Sequence, residues 1–153
     1  MHIRIINPET AVESLSAAPQ NPEEMPQIET VLVVDDDDNF CFLTRLLLRE
    51  AGVGNRVITA SNGLEAIKQL RAMAAGGEKL PELIFLDIKM PVMDGFEFLD
   101  QLAKSPELAL PDTRIFMSTS SFLPRDKERA SHYPIAGFLT KPLTEESLHE
   151  VLR

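Results

Sequence analysis

Two apolar runs in this chain lack any polar alternation, and each stops on an aspartate. Val31-Leu32-Val33-Val34 ends at Asp35, and Leu83-Ile84-Phe85-Leu86 ends at Asp87. Runs of that length without alternation read as strands covered on both faces, the condition of a parallel sheet. After Asp87 come Met90-Pro91 and then Asp94-Gly95, so the chain turns before the helical pattern of Phe96-Glu97-Phe98-Leu99 begins. An aspartate in that place stands where open α/β sheets hold their ligands. Taken alone, it is equally well the first residue of a loop.

From Thr30 onward the same rhythm repeats. Helical spacing carries Phe40, Leu43, Leu46 and Leu47 to Ala51-Gly52, where glycine can close a helix. Arg56 to Ala60 is a shorter strand. Ser61-Asn62-Gly63 turns it into a helix with Leu64, Ile67, Leu70 and Met73 on one stripe, ended by Gly76-Gly77. A helix from about Gly95 to Ala103 follows the Asp87 strand. The fourth strand, Arg114 to Ser118, runs into Thr119-Ser120-Ser121, and a charged helix is expected from Pro124 to about Ser131. The fifth strand is Ile135 to Thr140, closed by Lys141-Pro142, with Thr144 placed to cap a final helix.

Five strand–helix alternations predict an α/β doubly wound parallel sheet with right-handed crossovers. The carboxyl edge of that sheet collects Asp35 and Asp36, then Asp87, Thr119 and Lys141. Residues 1–29 read instead as a flexible N-terminal extension, because Pro8, Pro19, Pro22 and Pro26 interrupt a stretch poor in apolar surface. A short strand at Ile3 to Ile6 stays open. The folded domain is thus expected over residues 30–153.

Composition narrows the function classes. A net charge of −9 argues against a general nucleic-acid or anionic-membrane surface. Cys41 is the single cysteine, so no internal disulfide forms, and a reducing, cytoplasmic setting is expected. No apolar run reaches membrane-spanning length, and the N-terminus lacks the basic-then-apolar plan of a secretion signal.

Three carboxylates gathered at one edge repel one another unless a cation sits among them. Hard oxygen donors select Mg²⁺, with Mn²⁺ also suited, and no His or Cys is expected near these strand ends to favour zinc. Lys141 adds a fixed positive charge and Thr119 a hydroxyl donor. Such a set suits phosphoryl transfer, in which positioning and charge stabilisation carry the catalysis. Asp87, central in the set, is the natural nucleophile for an aspartyl-phosphate.

Asp35-Asp36, Asp87-x-x-Met-Pro-x-Met-Asp-Gly, Thr119-Ser120 and Lys141-Pro142, each closing a strand in order, resemble the CheY-like receiver domain of two-component response regulators. The resemblance implies a (βα)₅ flavodoxin-like fold of strand order 2-1-3-4-5, an order the chemotaxis receiver is a known example of. It implies that Asp87 takes a phosphoryl group from a histidine kinase or a histidine phosphotransfer protein. It further implies that Asp36 ligates Mg²⁺ directly, Asp35 through water, and Lys89 through its backbone carbonyl. Lys141 would pair with the phosphate, across a cis Lys141-Pro142 bond. On phosphorylation Thr119 would move toward the phosphoryl oxygens, and Phe138, the aromatic of the fifth strand, would turn inward to fill the space.

Some assignments stay open at this level. Ser118 adjoins Thr119, and a one-residue slip would put the hydroxyl on the opposite face; Thr119 is preferred for its family spacing to Lys141. Phe138 serves either as switch or as plain core. The Lys89 ammonium either shields the phosphoryl group or points to solvent. Asp37 and Asp38 suit the N-terminal end of the first helix. Phe40 and Phe42 give that helix more apolar surface than one core stripe needs, for packing or for the phosphodonor's helix. The output surface of fourth helix, fifth strand and last helix is hard to read. No output domain is expected after Arg153, so the chain reads as a stand-alone receiver, not an enzyme in the ordinary sense, that acts through an unidentified downstream protein or a phosphorelay, without nucleic acid or membrane. A Mg²⁺-dependent aspartyl-phosphate phosphatase is the alternative, weakened because Lys89 stands where such enzymes want a second acid. An unphosphorylated interaction module is a third reading.

Overall fold

Strand residues here alternate in which helical layer they meet, although they do not alternate in polarity. In the computed structural model, which describes residues 4–6, 28–121 and 123–153, Val31, Val33, Leu83 and Phe85 pack on one side of the sheet. Leu32, Val34, Ile84 and Leu86 pack on the other. All eight are fully buried, which is why the period-two signature of a half-exposed strand is missing from the sequence.

The sheet has six parallel strands: β1 (Arg4–Ile6), β2 (Thr30–Val34), β3 (Arg56–Ala60), β4 (Leu83–Asp87), β5 (Arg114–Thr119) and β6 (Gly137–Thr140). Their order is β1-β6-β5-β4-β2-β3. Without β1 this is the flavodoxin-like 2-1-3-4-5 order that the resemblance implied. Five helices are described: α1 (Asp38–Glu50), α2 (Gly63–Ala75), α3 (Gly95–Ala103), α4 (Pro124–Ala130) and α5 (Glu145–Leu152). Residues of α2, α3 and α4 enter the core on one face of the sheet, and residues of α1 and α5 enter it on the other. No described helix is long and apolar enough to cross a membrane.

Helix starts follow the side-chain chemistry. Asp37 caps α1, its carboxylate accepting from the Asn39 backbone N–H at 2.9 Å. Asp94 and Glu97 form a reciprocal capping box at α3, and Thr144 does the same with Ser147 at α5. The Lys141-Pro142 peptide bond is cis, as the resemblance implied.

Two boundaries depart from the sequence reading. β6 begins at Gly137 and not at Ile135. Pro134 has no N–H for a ladder, and the Ile135 N–H closes a tight turn onto the Tyr133 carbonyl at 2.9 Å. The second departure is at the N-terminus. The possible strand at Ile3 to Ile6 is present as β1, Arg4–Ile6, a sixth strand paired with β6. Ile6 is buried in the α1/α5-side core. Of the rest of the expected 1–29 extension, Ile28 and Glu29 are described, Ile28 buried in the same core, while residues 1–3 and 7–27 lie outside the described residues.

Candidate functional site

Parallel register brings the strand ends level with one another. Asp87 lies opposite Ser118, and Thr119 opposite Thr140. The residues following β2 and β6, Asp35-Asp36 and Lys141, therefore meet Asp87 and Thr119 at one rim. Lys141 Nζ is 2.7 Å from Asp35 Oδ2 and 3.6 Å from Asp87 Oδ1. One carboxylate oxygen from each of Asp35, Asp36 and Asp87 lies within 4.8 Å of the others. Asp87, Lys89, Thr119, Ser120, Ser121 and Lys141 line a hollow of about 140 Å³.

The adjacent acids have different surroundings. Asp35 is buried, its Oδ1 accepting the Asp37 backbone N–H at 2.9 Å, while Asp36 is exposed. Asp35 Oδ2 faces the Lys141 ammonium as a close ion pair. Burial, together with the Asp35 charge, pushes the Asp87 carboxyl up from 3.8 to about 6, against the opposing Lys141 charge and the Lys89 backbone N–H that donates to it. Burial works against the charged form of Lys141, but its bond to Asp35 and the charge of Asp87 outweigh that and raise its pKa. The buried Lys141 ammonium thus stands among more carboxylates than it can neutralise alone.

Such a donor set fits a hard divalent cation. Three carboxylates converge, which suits Mg²⁺ or Mn²⁺. One expectation about this rim needs correction. Cys41 does sit at the strand end, because the first turn of α1 folds back beneath β2 and places its thiol 3.6 Å from the Asp35 carbonyl oxygen. Burial and the charges of Asp35, Asp38 and Asp37 push that thiol up to about 11, which favours its protonated form.

The other candidates fall as follows. Thr119 lines the hollow, and its hydroxyl donates to the Ser121 carbonyl at 2.8 Å. Ser118 is fully buried, and its hydroxyl has no hydrogen-bond partner among the described residues. Phe138 is fully buried in the α2/α3/α4-side core. Lys89 lines the hollow while remaining exposed. The two phenylalanines of α1 divide: Phe42 is 70% exposed, whereas Phe40 is buried with its ring centroid 4.6 Å from Lys141 Nζ. That cation–π contact adds a neutral restraint on the ammonium, and sequence reasoning missed it. Its only forewarning was an aromatic in the first turn of the helix that follows the acid pair.

The β4–α3 connection is held by close approach. A Cβ on Gly95 would collide with the Asp87 carbonyl oxygen, so only glycine lets α3 start so near the strand end. Val92 in the same loop has φ 69°, a left-handed conformation that a β-branched residue adopts at a cost.

Comparison with known proteins agrees with this geometry. Residues 31–153 match the family model for the response regulator receiver domain. The chain is 32% identical over 119 residues to a probable methanogenesis regulatory protein, FilR2, of Methanothrix harundinacea, covering 77% of this chain and 75% of that one. It is 30% identical over 129 residues to the sensor histidine kinase CheAY of Helicobacter pylori, covering 84% of this chain but only 15% of the kinase. Among solved structures, a two-component response regulator from Cytophaga hutchinsonii superposes with a TM-score of 0.74 at 28% identity, over 82% of this chain and 95% of that one. Chemotaxis protein CheY4 of Vibrio cholerae superposes with a TM-score of 0.68 at 30% identity, over 82% and 96%. With its strand order, its acid cluster and its lysine all in place, the chain belongs to the response regulator receiver family of two-component signalling.

Proposed function

We propose that this chain is a phosphoacceptor switch in which Asp87 receives a phosphoryl group from a histidine kinase or a histidine phosphotransfer protein. The observation that carries the reading is the Lys141 ammonium held 3.6 Å from Asp87 Oδ1 by its pairing with Asp35. A carboxylate oxygen of Asp87 attacks the phosphorus of a phosphohistidine already protonated on its other ring nitrogen. An O–P bond forms, the P–N bond breaks with its electron pair going to nitrogen, and neutral imidazole leaves. Lys141 holds positive charge beside the incoming phosphoryl oxygens, and Asp35 keeps that ammonium in place. Asp36, Asp87 and the Lys89 carbonyl, with Asp35 through water, would hold Mg²⁺, which supplies positive charge against the carboxylate repulsion when bound.

Switching begins at Thr119. Its hydroxyl is engaged with Ser121, and exchanging that bond for a phosphoryl oxygen pulls the β5–α4 loop toward Asp87. Phe138, packed in the adjoining core, is the side chain that responds. The signal then passes to a partner protein or along a relay, and a cytoplasmic location is the corollary of those phosphodonors.

Incubation with acetyl phosphate and Mg²⁺ tests the reading. Stoichiometric labelling of the wild-type chain, absent in Asp87→Asn, is the expected result. Continuous turnover of the donor would mark a phosphatase instead, and no labelling would leave an interaction module.

A further inference from the structure

We propose that Phe40 is a positioning residue for phosphoryl transfer at Asp87, its ring face steadying the Lys141 ammonium without taking up the N–H groups that the phosphoryl oxygens need. The inference rests on the reading of Asp87 as phosphoacceptor and adds to it a group outside the acids, the hydroxyl and the lysine. Lys141 Nζ lies 4.6 Å from the Phe40 ring centroid, 2.7 Å from Asp35 Oδ2 and 3.6 Å from Asp87 Oδ1. Phe40 is 6% exposed, and most of the Lys141 side chain is buried as well. A cation–π contact with so little access to water is stronger than one on an open surface.

Short-range bonds bring ring and ammonium together. Asp35 Oδ1 accepts the Asp37 backbone N–H at 2.9 Å, Asp37 caps α1, and the Cys41 backbone N–H donates to the Asp37 carbonyl at 3.1 Å. The first turn of α1, and Phe40 with it, is thereby tied to the aspartate that pairs with Lys141. From the other side, the Lys141 backbone N–H donates to the Thr119 carbonyl at 2.8 Å. The three neighbours of the ammonium differ in kind. Each carboxylate accepts N–H bonds and so competes with a phosphoryl oxygen for them. The ring attracts positive charge over its whole face but accepts such bonds only weakly. Lys141 can therefore turn from Asp35 toward a phosphoryl group on Asp87 and keep the attraction of the ring throughout. An aliphatic side chain of similar size would fill the space and exclude water, but it would supply no such attraction.

The test separates the charge of the ring face from its shape. In the full chain, Phe40 is replaced by phenylalanines carrying one, two and three ring fluorines, which change its volume little and weaken its attraction for a cation stepwise. With Mg²⁺ in excess, the rate of labelling by acetyl phosphate is expected to fall with each fluorine, to about a tenth with three. Phe40→Leu is expected to fall about as far. Circular dichroism checks that each chain is folded, and a side chain that only fills space would give one rate across the fluorinated series. A single rate across that series overturns the proposal, as does Phe40→Leu labelling as fast as the unsubstituted chain. Should Phe40→Leu fail to fold, the fluorinated series decides alone. An unsubstituted chain that takes no label at Asp87 overturns the phosphoacceptor reading and this inference with it. An unsubstituted chain that labels beside a flat fluorinated series overturns the role of Phe40 alone.

Discussion

The two ends of the sheet make a useful contrast. At the carboxyl rim, a hollow of about 140 Å³ is lined by Asp87, Lys89, Thr119, Ser120, Ser121 and Lys141. At the opposite end, α3, the short 3₁₀ turn Pro106–Leu108 and the segment before β6 enclose about 590 Å³ lined by residues such as Leu99, Leu102, Leu108, Ile115 and Tyr133. The larger space is mostly apolar, and two of its polar groups are already engaged: Tyr133 Oη donates to Asp100 at 2.6 Å, and Thr113 Oγ1 donates to the Pro81 carbonyl at 2.5 Å. The smaller space holds charges that the protein alone leaves unbalanced. Size therefore points away from the chemistry, and unrelieved charge points toward it.

Lys141→Met gives the sharpest test of that contrast. It strands the buried Asp35 carboxylate, and a loss of about 3 kcal/mol is expected in urea unfolding at neutral pH with chelator present. Unchanged stability would mean that the rim charges are better solvated than their burial indicates.

Removing an acid should do the reverse. Asp87 titrates near 6 when folded, against its ordinary 3.8. A carboxyl whose pKa is raised by folding favours the folded state while protonated, so its support is full below about pH 4 and is lost as pH rises through about 6. In metal-free buffer Asp87→Asn is expected to exceed the wild type by about 2 kcal/mol above that range and to match it below. Equal stability at every pH would break the comparison.

The far end should respond as ordinary packing. Leu102 is half-buried, so Leu102→Ala is expected to cost about 1 kcal/mol, less than a fully buried leucine, and to leave acetyl-phosphate labelling at Asp87 unaltered. A labelling defect would show the two ends to be coupled. Smallest is the backbone of the rim loop. Val92→Gly relieves the φ of 69° at an exposed position and is expected to raise stability by about 0.5 kcal/mol, the strain relieved being partly offset by glycine's freedom in the unfolded chain.

Much of this architecture was legible because its signals are local. Unalternated runs ending on Asp35 and Asp87, glycines after helical stripes, and Thr144 before Glu145-Glu146-Ser147 each act within a few residues. The misses have separate causes. Tyr133-Pro134 delayed β6 through a local turn, Pro134 lacking an N–H and Ile135 bonding back to the Tyr133 carbonyl. Cys41 looked remote from the acids until α1 folded back over β2. The strand at the N-terminus was legible only as a possibility, because three residues carry almost no periodic signal.

What the sequence determined by itself was the set of elements and the chemical character of each strand end, since apolar runs, turn residues and caps are short-range instructions. Tertiary structure alone decided which of two adjacent aspartates is buried against Lys141, that Phe40 lies beside that ammonium, and that Arg4–Ile6 closes the sheet at β6. Those outcomes depend on burial and on strand neighbours, and neither exists until segments far apart in the chain have been brought together.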